Sequence, residues 1–368
     1  MRGRIRKQEP MFVALNVDSL VESRLAMDHP LRRIRLFARG VLASLDTEFE
    51  KFYSHTGRPS VPPEQMLMAL LWQALFSIRS ERMLEDVIRY DLRCRWFIGL
   101  PLDQDAWNHS TFSKAREAFL LQPLAYLFFE RHVAFMRAEN LVSSDHLSVD
   151  GTLMSAWASH KSLVKKDDLD DDGNPPPRPP GGRNAWVDFK GEKRSNATHV
   201  SATDPDSKLA SKGGEAKLSF ELNVLAENRN NLAVDFTVCP PTGTSEREEA
   251  ATLVAVQAMQ GHTPKTVGAD RKYAEGDKLV EQFYKADIEP HFSVRDDRPN
   301  ALARLFHDTT GYSISQRCRM RIEEIFAYAK TIGGLAKLKV RGLSGVFGVA
   351  SIVLAAYNLR RHASLQPG

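Results

Sequence analysis

The strongest constraint on this chain is the order of strand-like and helix-like runs after residue 146. Residues 147–150 read as a short strand closing on Asp150. Residues 217–226 and 231–238 alternate apolar and polar in the strand manner, and Glu227-Asn228-Arg229-Asn230 joins them as a hairpin-like turn. Residues 245–259 then read as a helix, with Ala250, Leu253, Val254 and Ala258 on one face. A strand over 265–269 ends at Asp270. A helix over 276–286, a strand over 289–294, a helix over 316–330 and a last helix over 346–361 follow. Three antiparallel strands followed by strands alternating with helices predict an α/β mixed sheet flanked by helices. Two strands close on an aspartate, and the 316–330 helix carries Glu323 between Arg319 and Lys330.

Residues 11–140 read differently, as all helix. Pro62-Pro63-Glu64-Gln65 is a helix start, because proline's missing N–H costs nothing in the first turn. Leu67, Leu70, Leu71, Ala74, Leu75 and Ile78 then repeat at helical spacing. Ser80 is a cap for the next helix. Asn108 through Ser113 opens another helix, with Lys114 and Arg116 early in it. Hydroxyls and cations at a capped helix start suit phosphate contact, and they equally suit an ordinary helix start. The division expected is a helical domain over 1–140 and a mixed-sheet domain over 141–368, with an irregular, charged and proline-rich insertion over about 163–195. Lys193 and Arg194 lie in a basic loop at the end of that insertion that would track DNA.

Composition adds bounds. The 368 residues are 42% hydrophobic and 26% charged, and net charge is only +4. The cations are unevenly placed: residues 311–368 hold nine Lys/Arg against two Asp/Glu, a net +7 that exceeds the whole chain's. Three separated cysteines make neither a disulfide framework nor a thiolate zinc site. No apolar segment follows the basic N-terminus, so no signal peptide is expected. The apolar run over 346–357 reads as too short to span a bilayer and as a buried helix. No glycine-rich phosphate loop is followed by Lys-Ser/Thr, so ATP is not implied. The run from Asp168 to Gly173 imitates the start of a calcium loop, but its twelfth position is Pro179 rather than glutamate.

Two aspartates and a glutamate flanked by cations suit divalent-metal chemistry on phosphodiesters. Two hard cations about 4 Å apart stabilise attacking and leaving oxygens in line. Mg²⁺ takes oxygen ligands and needs no histidine cage. Alone, each acid reads as an ordinary turn or surface residue; their joint order carries the argument. Trp157 and Trp186 would stack on an unpaired base or pack in the core. His160 and His199 would approach the site or a phosphate, and Tyr273 reads as packing.

These residues resemble bacterial insertion-sequence transposases of the DDE type, in the group that includes insertion sequence five. The resemblance is carried by Ser148-Val149-Asp150-Gly151-Thr152-Leu153 and by Ala156 through Lys161. It is carried further by Gly191 through His199, Gly268-Ala269-Asp270 and Arg321-Ile322-Glu323-Glu324-Ile325-Phe326. Ser80-Glu81-Arg82 and Arg95 through Leu100 resemble that group's helical domain. The resemblance implies a ribonuclease H-like catalytic domain whose acids, ligating two Mg²⁺ (Mn²⁺ substituting), are Asp150, Asp270 and Glu323. It also implies Arg319 and Lys330 on phosphate oxygens, Lys114, Arg116, Lys193 and Arg194 on DNA, and Gln316 standing where the group has tyrosine. The implied partners are double-stranded DNA, as terminal inverted repeats and target, and a second copy in a dimer or larger synaptic complex. The implied setting is the bacterial cytoplasm, without a membrane. A nuclease or resolvase that cuts without joining, or a silent DNA-binding derivative, are the other readings.

Overall fold

A computed structural model describes residues 16–52, 60–170, 194–275, 277–294 and 300–366. The N-terminal part is helical throughout its described residues: α1 (Val17–Glu22), α2 (Pro30–Ala43), α3 (Asp46–Phe52), α4 (Pro63–Phe76), α5 (Glu81–Tyr90), α6 (Leu92–Ile98), α7 (His109–Leu120) and α8 (Leu124–Ala138). Pro63 opens α4 as expected. The Ser80 side chain accepts from Met83 N–H (3.2 Å) and caps α5, and Asn108 accepts from Ser110 N–H (3.0 Å) to cap α7. Helix α4 is apolar on nearly every side and buried on nearly every side.

The strands that follow are β1 (His146–Ser155), β2 (Leu163–Lys165), β3 (His199–Ser201), β4 (Lys208–Ala210), β5 (Lys217–Glu227) and β6 (Leu232–Cys239), of which β2 and β3 form a ribbon apart from the main sheet. Helix α9 (Ser245–Met259), β7 (Thr266–Ala269), α10 (Asp277–Lys285) and β8 (Glu289–Phe292) follow. The chain ends with α11 (Ala301–Arg304), α12 (Thr310–Arg319), α13 (Ile322–Thr331) and α14 (Leu343–Leu365). Strand β1 pairs antiparallel with β5 and parallel with β7, β5 pairs antiparallel with β6, and β7 pairs parallel with β8. Read across the sheet, the order is β6-β5-β1-β7-β8, with β4 extending the outer edge of β5. This is the ribonuclease H-like arrangement: an antiparallel triplet whose first strand is central, continued by two parallel strands.

Four expectations need correction. Strand β1 does not stop at Asp150 but runs to Ser155, because β5 stays paired with it as far as Ser155↔Ser219. Residues 163–165 are not irregular: they pair with 199–201 as a two-stranded ribbon that ties the ends of the insertion together. Residues 171–193, which include Lys193 and Trp186, lie outside the described residues.

The third correction concerns the 316–330 helix, which is two helices. It breaks between Arg319 and Ile322, where 3₁₀-type bonds (Arg321 N–H to Cys318, Glu323 N–H to Met320) replace the α pattern. No glycine or proline marks the break. Asn231, in a left-handed conformation at the β5–β6 turn, donates its amide to the Arg321 carbonyl (2.8 Å), and Arg321 donates to the Asn228 and Arg229 carbonyls. The hairpin turn thus satisfies the backbone that the break exposes.

Fourth, the last helix is 23 residues and is long and apolar enough to cross a membrane, yet 72% of its most apolar window is buried inside the protein. It packs on α2, α4, α7, α8, α13 and β6, joining the helical part and the sheet in one core. The Asn358 side chain accepts from Ala233 N–H (3.0 Å) and donates to the Ala233 carbonyl (2.8 Å), docking α14 on β6 beside the bulge at Leu225/Ala226. At Gly348 a side chain would place its Cβ 2.5 Å from the Leu120 carbonyl oxygen. Backbone cannot yield as a side chain does, so Gly348→Ala is expected to cost about 1–2 kcal/mol, read as a lower urea midpoint at unchanged m-value.

Candidate active site

Strand β7 pairs with β1 only over His146–Ser148 against Thr266–Gly268. Asp150 lies two residues past that pairing, and Asp270 is the first residue after β7. Asp270 thus stands at the carboxyl end of β7, whereas Asp150 lies inside β1, just past the point where the parallel pairing with β7 ends; from there β1 continues paired with β5 alone, which leaves a crevice on its β7 side. The Asp270 carboxylate accepts Lys272 N–H (2.8 Å), an Asx turn that ends the strand. The Asp150 carboxylate accepts Gly151 N–H (2.8 Å) through Oδ1.

Glu323 comes from the third side. It is in the first turn of α13, which packs on β1, and a helix N-terminus favours a carboxylate there. Its neighbour Glu324 points elsewhere, accepting from Asn231 at the hairpin turn (3.1 Å). Burial first, and then the charges of Asp270 and Glu323, push the Asp150 carboxyl up to about 6, against the opposing pull of Gly151 N–H and Lys212. Asp150 thus feels the charge of both other acids. Lys330, in the last turn of α13, is lowered by burial and by Lys212 and raised by Glu323, so it borders the same crevice.

The remaining expected residues scatter. Arg319 ends α12, on the other side of the helix break from Glu323, and its Nε donates to Gln316 (3.3 Å). Gln316 itself receives Ser293 Oγ (2.9 Å) and donates to the His291 carbonyl (2.5 Å), tying α12 to β8 and its outgoing chain. Arg116 is engaged by Glu81 in an ion pair. The start of α7 is not open to a phosphate, because the Glu85 carboxylate already accepts His109 N–H (2.8 Å) and contacts its ring (3.0 Å). Lys114 is exposed on α7, and Arg194 donates to the His160 carbonyl (3.2 Å). His199 is buried in β3, and Trp157 is 50% exposed. Trp157 and Lys330 line a cavity of about 650 Å³ between α4, α7 and the α13–α14 connection, together with Arg79, Lys337 and Lys339.

Sequence reasoning missed a second layer on the other face of β1. Lys212, from the β4–β5 turn, donates to the Gly151 carbonyl (2.7 Å) and pairs with Glu246 of α9 (2.6 Å). Glu221 of β5 is buried and pushed up to about 7, chiefly by burial. Gly151 is needed here, since any Cβ would sit 2.5 Å from Asn223 Oδ1 and 3.2 Å from Glu221 Oε1. A signal was present: in the alternating run 217–226 the polar positions Ser219, Glu221 and Asn223 fall together on one face of the strand.

An all-carboxylate donor set, partly desolvated, fits a hard divalent cation in chemistry. In spacing it is open: among the described residues no three His, Cys, Asp or Glu are close enough to hold a metal ion.

Strand order and acid placement together define a ribonuclease H-like protein. Two family matches make this specific: residues 19–118 match the family "Transposase domain (DUF772)", and residues 196–359 match the family "Transposase DDE domain". The chain belongs to the DDE transposases, enzymes that act on DNA and in general use divalent metal. The second match includes Asp270 and Glu323 and begins after Asp150. Among solved structures the chain is similar to the piggyBac transposase in a synaptic complex with hairpin DNA, at 10% identity and a TM-score of 0.42, covering 91% of this chain and 75% of that one. No curated protein sequence matches the chain.

Proposed function

We propose that this protein binds the terminal inverted repeats of a bacterial insertion sequence, hydrolyses the phosphodiester at each end and joins the freed 3′-OH to target DNA. The observation that supports this reading is the placement of buried Asp150 just past the β1/β7 pairing, with Asp270 at the end of β7 and the charges of Asp270 and Glu323 both acting on it. In this reading Asp150, Asp270 and Glu323 would hold the divalent cations, Mg²⁺ with Mn²⁺ able to substitute. When bound, the cations supply the positive charge that stabilises the attacking and leaving oxygens.

The chain's own residues do the rest. Gly151 N–H fixes one oxygen of Asp150, leaving the other for the crevice. Lys330 holds a non-bridging phosphate oxygen beside Glu323, as a point charge. Arg319 reaches the phosphate only if the α12–α13 break straightens when DNA binds. Lys337 and Lys339, which line the same cavity as Lys330, track the backbone, and Lys114 and Arg194 contribute further phosphate contacts. The helical part, roughly 1–140, recognises the repeats and pairs two copies, and 141–368 cuts. Because the acids are not gathered to ligand distance, closure on DNA and metal precedes chemistry. The setting is the bacterial cytoplasm, on the nucleoid, and the insertion-sequence-five grouping belongs to this reading.

The test is a labelled inverted-repeat duplex with Mg²⁺. Nicking that exposes a 3′-OH, followed by joining of a pre-nicked end to plasmid, is the expected result. Nicking without joining would leave a nuclease.

A further inference from the structure

The cavity beside Lys330 has a build that phosphate tracking alone does not call for. It measures about 650 Å³, within the roughly 300–1,000 Å³ of small-molecule pockets. Its floor is apolar: Ile78, Leu120, Leu338 and Val353 are all buried. Its rim is cationic, with Arg79, Lys330, Lys337 and Lys339. Glu81, the acid on its wall, is already paired with Arg116, whereas no carboxylate among the described residues forms an ion pair with any of those four cations. Trp157 stands on the wall half-exposed rather than packed into the core. The walls are tied in place: the Tyr328 hydroxyl donates to the Ala74 carbonyl (3.1 Å), Ser77 Oγ to the Ile332 carbonyl (3.2 Å), and Leu338 N–H to the Ser155 carbonyl at the end of β1 (2.9 Å).

An apolar slot with an accessible indole takes a flat ring, and a rim of cations takes phosphate; together they match a single nucleotide out of its helix. A purely electrostatic DNA track would need no apolar floor. The cavity is also placed for a DNA end. Lys330 is seven residues along α13 from Glu323, roughly 10 Å, and Ser155 is five residues along β1 from Asp150, roughly 17 Å. We propose that the cavity receives one unpaired nucleotide of the transposon end, its base stacked on Trp157 over the apolar floor and its phosphates on Lys330 and Lys337. At roughly 3.4 Å per step of a DNA strand, this nucleotide is about five steps from the scissile phosphate. The inference rests on the reading that the chain binds transposon ends, and it needs no metal.

The experiment titrates the full-length protein, without metal, against a set of inverted-repeat duplexes. Each carries one unpaired nucleotide at a different position from the cut outward, and the fully paired duplex is the reference. Wild type should bind the duplex unpaired about five steps from the cut roughly tenfold more tightly than the paired one, the size of one base–aromatic stack. An abasic residue at that unpaired position should abolish the preference. Trp157→Ala should bring the ratio of the two affinities close to one, and Trp157→Phe should keep most of it. Because the ratio is taken within each variant, a loss of folded protein does not imitate the result. Equal affinity for paired and unpaired duplexes at every position, with the repeat still bound over unrelated DNA, overturns the inference and leaves the proposed function standing. A preference that survives Trp157→Ala or removal of the base seats the nucleotide elsewhere and overturns it too. Binding of the repeat no tighter than of unrelated duplex overturns repeat recognition and this inference together.

Discussion

Asp150→Asn is expected to lower transposon-end cleavage on the order of 10³-fold or more, the size of losing about 4 kcal/mol of transition-state stabilisation, and to make the metal-free protein more stable. The two effects share one cause. Asparagine keeps the shape, and its oxygen can still accept Gly151 N–H, but it removes a charge that burial and two other acids disfavour. The folded-state pKa is raised, to about 6, so the penalty is present above that pH and relieved below it. At pH 8 the substitution should therefore raise stability on the order of 2 kcal/mol, discounted for the group's partial exposure. Gel-shift affinity for the inverted repeat without metal should stay close to wild type. Undiminished cleavage would remove Asp150 from the chemistry, and a destabilised metal-free variant would remove the repulsion argument.

Such a residue is legible in sequence for reasons that did not extend to its surroundings. Helix α9 was bounded to the residue, because Pro240-Pro241 precede it and a left-handed Gly261 follows it, and both act locally. The end of β1 was misread because a strand stops where its neighbours stop, and β5 continues where β7 does not. The α12–α13 break was invisible because its cause, the Asn231 amide, comes from a turn some ninety residues earlier. The α7 start looked open to phosphate for the same reason: the carboxylate that occupies it belongs to Glu85, on another helix. Acids at strand ends announce themselves by type and context. The cation that tunes Asp150, Lys212, becomes its neighbour only through folding.

A pair of buried histidines far from the acids gives stability a pH dependence of its own. His132 of α8 and His362 of α14 are fully buried and share a contact of 3.2 Å between ring nitrogens. His362 also meets Glu139 (2.7 Å) and stacks on Phe37, and Gln366 donates to the same Glu139 oxygen. Burial, and then the neighbouring ring, lower His132 to about 3. The unfolded chain protonates this histidine near 6.5 and the folded chain does not. Its contribution is thus complete above 6.5 and is lost as pH falls from 6.5 toward 3, about 2 kcal/mol of it between pH 7 and 5. Glu221 runs the other way. Its folded pKa, about 7, is above the unfolded value, so its burden on stability is greatest above 7 and lifts as pH falls toward 4.5, again by about 2 kcal/mol between pH 7 and 5. In the metal-free protein the two slopes oppose, and variants separate them. Relative to wild type, Glu221→Gln should lose about 2 kcal/mol on going from pH 7 to 5, and His132→Phe should gain about as much, whatever offset each carries at pH 7. Urea midpoints at five or six pH values measure both. Parallel profiles for wild type and His132→Phe would mean that the histidine pair is protonated in the folded protein, with Glu139 holding the charge.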